Sequence, residues 1–154
     1  MKIKILLLTL IILISCEDKE IIRKEELVNY KNEIILTGNV YTYSKLSLFF
    51  EKEKNYESIL PYSLIMAYKY NNADAYFDIY RITIKLNNDG VFDYKAITKI
   101  DPKTSKFAID HLKISVDLGD ITAKKYFAKY HEEGIFLKKN LELAKRINEE
   151  IKIR

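Results

Sequence analysis

The chain has 154 residues, with 26 lysines and arginines against 22 aspartates and glutamates and a formal net charge of +4. So slight a basic excess is not the electrostatic footprint of a nucleic-acid-binding protein. Two prolines and four glycines are fewer turn residues than a β-sandwich or barrel needs, and twelve tyrosines with no tryptophan give a core with many polar handles, so an all-α fold is expected.

The first element is "MKIKILLLTLIILIS", residues 1–15: two lysines, then an aliphatic and threonine run with no acidic residue, too short to span a bilayer stably. It reads as a secretory signal. It ends at "LISC", and Cys16 is the only cysteine, so no disulfide forms within one chain. This stretch resembles the lipobox of bacterial lipoproteins, in which the cysteine is lipidated and becomes the new N-terminus. The diacyl or triacyl modification that the resemblance implies would anchor the protein stably to a membrane. Residues 16–20 are then the anchor and a short solvated tether, "EDKE". Without residues 1–15 the chain keeps 24 basic and 22 acidic residues, a net charge of +2, and roughly 138 residues are enough for one domain, 21–154, with a continuous core.

Seven helices are predicted in that domain, near 20–36, 40–52, 58–70, 73–86, 104–118, 121–133 and 139–151. The first break is Gly38-Asn39: glycine takes the left-handed conformation that ends a helix, and Asn39 caps the next. Thr42, Leu46 and Phe50 follow at helical spacing. The same offsets carry Asn71, Asn72, Ala75, Ile79 and Thr83, and again Gly119, Asp120, Ala123, Phe127 and His131. Ahead of each break stand packing residues at fixed distances: Leu27, Lys31 and Ile34; Leu60, Leu64 and Ala67; Ala108, Leu112 and Ser115. Pro61 is easiest to place in the first turn of its helix. Thr104 and Asn140 each stand four residues ahead of a small residue, Ala108 and Ala144, as caps. Gly38 to Asn71 is 33 residues and Asn71 to Gly119 is 48; the excess, 87–104, reads as an inserted loop, or as a hairpin turned by "NNDG" between "RITIKL" and "VFDYKAI". The last helix, with Leu141, Ala144, Ile147 and Ile151 on one side, reads as a solubilising cap.

Helix pairs repeating at this length form solenoids. "LGDITAKKYFAKYHEEGIFLKKNLELA" resembles the Sel-one-like repeat, a relative of the tetratricopeptide repeat, with its pattern carried by Gly119, Asp120, Ala123, Phe127, His131, Gly134, Leu137, Asn140 and Ala144. His131 departs from the usual aromatic, and Phe136 stands where the family commonly has glycine. The resemblance implies a right-handed αα-hairpin solenoid of about three degenerate Sel-one-like or tetratricopeptide-like repeats. Small lipoproteins of this kind resemble immunity proteins that neutralise the effectors of antibacterial secretion systems. Two roles stay open: such an immunity protein, or a structural adaptor in cell-envelope assembly. Glu17 after the anchor cysteine, rather than Asp, favours the outer membrane facing the periplasm; a Gram-positive cell surface is the other location.

No motif points to catalysis. His111 and His131 are twenty residues apart, with no cysteine or paired carboxylate spaced to complete a metal site. Asp89, Asp93 and Asp101 lack the spacing and closing glutamate of a calcium loop, so a solvated loop is expected there. His131 is expected in a packed column. There is no phosphate loop, nucleophile elbow or zinc-protease pattern, and the expectation is a non-enzyme with no cofactor, no metal and no small-molecule substrate. The partner expected is another protein. Tyr41, Tyr43, Tyr76 and Tyr80 lie on the first helices of their pairs, which line the concave face in such repeats, and read either as half-buried core or as binding anchors. Tyr43, Tyr76 and Lys124 share one repeat offset and form the candidate partner-binding row.

Overall fold

The computed structural model describes residues 22–153, so the signal segment 1–15, the lipidation site Cys16 and the tether to residue 20 lie outside the described residues. Within them there are seven α-helices and no strand: α1 Leu27–Thr37, α2 Val40–Lys52, α3 Tyr56–Tyr70, α4 Ala73–Leu86, α5 Pro102–Asp117, α6 Ile121–Glu133 and α7 Leu141–Lys152. Short 3-10 segments cover Lys24–Glu26 and Tyr94–Lys99. No helix among the described residues is long and apolar enough to cross a membrane.

Asx side chains set the starts of these helices. Asn39 accepts from the Thr42 amide, Asn55 from Ser58, Asn72 from Ala75, Asp120 from Ala123 and Asn140 from Leu143, each satisfying a backbone donor that the helix itself leaves unpaired. The ends use the left-handed region. Gly38, Asn71 and Gly134 are C-caps at φ of 66°, 52° and 73°, and Gly119, one past the C-cap Leu118 of α5, has φ of 94°. At Gly38 glycine is demanded twice over, because a Cβ there would also be driven into the ring of Tyr70.

Three boundaries differ from the sequence reading. Asp101, not Thr104, caps α5 by accepting from Lys103 and Thr104 amides, and Pro102 takes the first helical position, where its missing N–H costs nothing. Asn55 starts α3 two residues early, which moves Pro61 beyond the first turn; the N–H it lacks would have met the carbonyl of Glu57, an exposed residue. The inserted segment is neither a hairpin nor a solvated loop. After a turn at Gly90 (φ 76°) it folds into the 3-10 helix and buries Ala96, Ile97 and Ile100. Ser105 Oγ donates to the carbonyls of Ile97 and Ile100 and fixes it to α5.

Consecutive helices pack as hairpins. Side chains also join every second helix. Lys69 and Tyr70 of α3 donate to the carbonyl of Ile35 in α1, and Tyr68 of α3 meets His111 of α5. On the other side, Tyr43 of α2 reaches Asp78 of α4, and Tyr80 of α4 reaches Tyr130 of α6. The predicted columns are buried as read from the sequence at Thr42, Leu46 and Phe50, at Ala75, Ile79 and Thr83, and at Ala123. The small residues Ala67, Ala75, Ala108, Ser115 and Ala123 are fully covered, which lets the helix backbones approach closely. His131 is only half-buried, with Nδ1–H donating to the Lys138 carbonyl; Tyr130 is the buried residue of that turn. In α7, Ala144 and Ile147 pack on Ala128 while Leu141 is exposed and Leu143 takes its place against the apolar seam.

Candidate functional site

The proposed row of Tyr43, Tyr76 and Lys124 is not a surface. Tyr43 is 2% exposed and Tyr76 7% exposed. The residue one step past the packed column points at the opposite row of helices, so Tyr43 packs under α3 and Tyr76 between α3 and α5. The Tyr43 hydroxyl donates to Asp78 Oδ2 at 2.7 Å and lies 2.9 Å from Ser63 Oγ; burial, then the neighbouring Asp78 charge, pushes it well above the ordinary phenol range. The Tyr76 ring stands edge-on to Tyr68 at 6.0 Å and tilted against His111 at 5.9 Å. Lys124 is mostly covered and pairs with Glu150 of α7 at 2.9 Å.

The outward row lies one residue before the packed column instead: Tyr41, Asp74 and Thr122 are all exposed. One turn further along α4 and α6 come Asp78 and Tyr126, and Arg81 and Lys129 follow, so the stripes Asp74, Asp78, Arg81 and Thr122, Tyr126, Lys129 share the 0, 4, 7 spacing of a single helix face. That spacing was present in the sequence; what it lacked was the direction each face looks. Between the two stripes lies a groove of about 440 Å³. Asp74, Asp78 and Arg81 come from α4, Asp120, Thr122 and Tyr126 from the start of α6, and Phe77 and Phe92 complete the wall.

One side of the groove is aromatic. Phe77 stacks on Tyr126 at 5.8 Å with an interplanar angle of 26°, and Phe92, supplied by the inserted segment, meets Tyr126 edge-on at 5.2 Å. The other side is charged, and its charges are unequal in their commitments. Asp78 accepts from Arg81 at 2.7 and 3.2 Å, from Tyr43, and from Ser47 at 3.3 Å, which leaves its carboxylate satisfied. Arg81 also lies 3.8 Å from Glu51, whose other oxygen holds the buried Lys85. Among the described residues no cation is paired with Asp74. Partial burial, a hydrogen bond shared with Asp120, and the charges of Asp120 and Asp78 raise its pKa from 3.8 to about 6. Asp120 is meanwhile held by its capping bond to the Ala123 amide at 2.5 Å. Asp74 therefore faces the groove partly protonated at mildly acidic pH.

His111 lies apart from the groove. Its Nδ1–H donates to the Phe107 carbonyl at 2.7 Å, so Nε2 accepts the Tyr68 hydroxyl at 2.6 Å, and burial lowers its pKa below the ordinary value. Among the described residues no cluster of three His, Cys, Asp or Glu side chains is placed to hold a metal ion. The chain matches no protein-family model, and neither a curated protein nor a solved structure is significantly similar to it.

Proposed function

We propose that this is a lipid-anchored, non-enzymatic repeat protein of the cell envelope: a right-handed αα-hairpin solenoid of about three degenerate Sel-one-like repeats, held to the membrane through Cys16, whose role is to bind another protein. The repeat reading draws support from the recurrence of a left-handed residue followed by an Asx cap and a buried small residue at Gly38, Asn71 and Gly119. The observation that carries the binding role is the groove between α4 and α6, an aromatic wall facing carboxylates on the first helices of successive pairs. Rigid aromatic rings are the anchors in which protein interfaces are enriched. The specific role we propose is that of an immunity protein, with the outer membrane facing the periplasm as its location and a secreted antibacterial effector as its partner.

The test uses the full chain in detergent, immobilised and challenged with the proteins encoded by the genes on either side of its own, a toxin among them being the outcome expected. Wild type is expected to capture the toxin, and Thr122→Trp, which fills the groove mouth from an exposed position, is expected to weaken capture by at least about tenfold, or ~1.4 kcal/mol. Equal capture by wild type and variant, or turnover of lipid or peptidoglycan by the chain itself, would refute the reading.

A further inference from the structure

The ligand class of this groove follows from what its carboxylates lack. Asp78 is saturated by Arg81, Tyr43 and Ser47, whereas Asp74 and Asp120 line the groove together, Asp120 accepting its capping bond from the Ala123 amide and Asp74 sharing a hydrogen bond with Asp120. A cation placed between them would relieve their repulsion more completely, and the rings of Phe77 and Tyr126 beside them give the apolar stem of a long cationic side chain a wall to lie against. Among the described residues the neighbouring cations are already committed, and Arg81 lies over the Phe77 ring at 5.9 Å. Arg81 is engaged by Asp78 and Glu51, and Lys129 lies over Tyr94 and Tyr126 at 5.4 Å in an adjoining hollow.

We infer that the groove receives an arginine or lysine side chain of the partner protein, its charge between Asp74 and Asp120 and its stem against Phe77 and Tyr126. This rests on the protein-binding reading above and names the chemistry of the residue inserted. The groups facing Asp74 are Asp120 at the start of α6 and Asp78 on its own helix, with Arg81 and Tyr126 at the groove margin. Entry of a cation requires Asp74 to be ionised, so binding is coupled to release of its proton and tightens between about pH 5 and pH 7.

N-butylguanidinium is the probe, titrated into the full chain in detergent while the ring resonances of Phe77, Phe92 and Tyr126 are followed by NMR, with neutral pentanamide as control. Saturable ring shifts are expected for the guanidinium alone, with affinity rising at least about threefold from pH 5 to pH 7. In Asp74→Asn/Asp120→Asn the affinity is expected to fall at least about tenfold. Asn caps a helix as well as Asp does, so this variant keeps the start of α6. Absence of saturable shifts, or equal affinity in the double variant, overturns the inference. If the toxin is captured by wild type, blocked by Thr122→Trp and held at full affinity by the double Asn variant, protein binding stands and the cationic insertion falls.

Discussion

Between α1 and α4 the core mixes aliphatic side chains such as Ile34, Leu46, Ile59 and Met66 with rings that stand mostly apart from one another, among them Tyr43, Phe50, Tyr56 and Tyr76. Between α4 and α6 it is closed by rings that touch in sequence, Phe77 to Tyr126, Phe92, Tyr80, Tyr130 and Tyr94. The connections explain the difference. α2 passes to α3 through residues 53–55 alone and the helices close on each other directly, whereas residues 87–101 follow α4 and fold inward, bringing Phe92 and Tyr94 with them. An insertion that looked like a surface excursion is core filling. It also imposes a polar condition of its own, beside the one that Tyr43, Ser63 and Asp78 meet in the first half. Tyr130 donates to the Tyr94 carbonyl, so Tyr80 must donate to Tyr130, and burial pushes both phenols above their ordinary range. Truncating an aliphatic side chain opens a cavity, whereas removing one of these two hydroxyls orphans the other.

Leu46→Ala, in the first half, should have the largest effect, a loss of about 3 kcal/mol read from urea unfolding by circular dichroism. A loss below about 1 kcal/mol would mean that the first half collapses around the gap. In the second half, Tyr130→Phe keeps the ring and removes only the hydroxyl, and is expected to cost about 1–2 kcal/mol by stranding Tyr80 and the Tyr94 carbonyl. Adding Tyr80→Phe should recover part of that cost, since the orphaned donor is gone. Strict additivity in the double-mutant cycle would show that the two hydroxyls are not coupled.

Phe136 belongs to neither core and isolates backbone strain from packing. It sits at φ of 57° and is 43% exposed, a left-handed conformation in a side chain that resists it. Phe136→Gly is expected to stabilise by about 1 kcal/mol, and a destabilised variant would show that the ring contributes more than the strain removes. The smallest effect lies at the seam of the halves, where His111 meets Tyr68 and Tyr76. Held neutral by burial while the unfolded chain protonates near 6.5, His111 contributes stability that is whole above that pH and is lost as pH falls toward its depressed folded value. Asp74 runs the other way: its contribution is present below its ordinary 3.8 and is lost as pH rises through about 6. Comparing wild type with His111→Gln between about pH 7.5 and pH 5.5 separates the two, because Asp74 is common to both. The variant should lose less stability on acidification, and identical slopes would remove the His111 assignment.

What could be read from the sequence is what is decided locally. A left-handed glycine or asparagine and an Asx cap act within four residues of themselves, so the breaks at 38–39, 71–72 and 119–120 and the columns of small and apolar residues behind them were legible. The outward direction of a helix was not. One residue turns a side chain by about 100°, and whether Tyr43 or Tyr41 looks outward depends on where α3 sits, a non-local fact. The candidate groove was missed for that reason, although Asp74, Asp78 and Arg81 carried the spacing of a single face. Residues 87–101 were misread because "NNDG" and "DPKT" at their ends are polar, while Phe92, Tyr94 and Ile97 between them find a destination only in the gap left by α4 and α6.

α4 belongs to both cores: Ala75, Tyr76, Ile79 and Ile82 face one, while Phe77, Tyr80 and Ile84 face the other. A stack of helix pairs in which each touches only its neighbours can melt piecewise, one interface at a time. Here neither half can open without uncovering one side of the same helix, so the region from α2 to α6 should open as a single cooperative unit. The amides of α4 would then exchange with solvent only through global unfolding. α7, joined through the small apolar seam of Ala128, Ala144 and Ile147, would exchange by local detachment well before them.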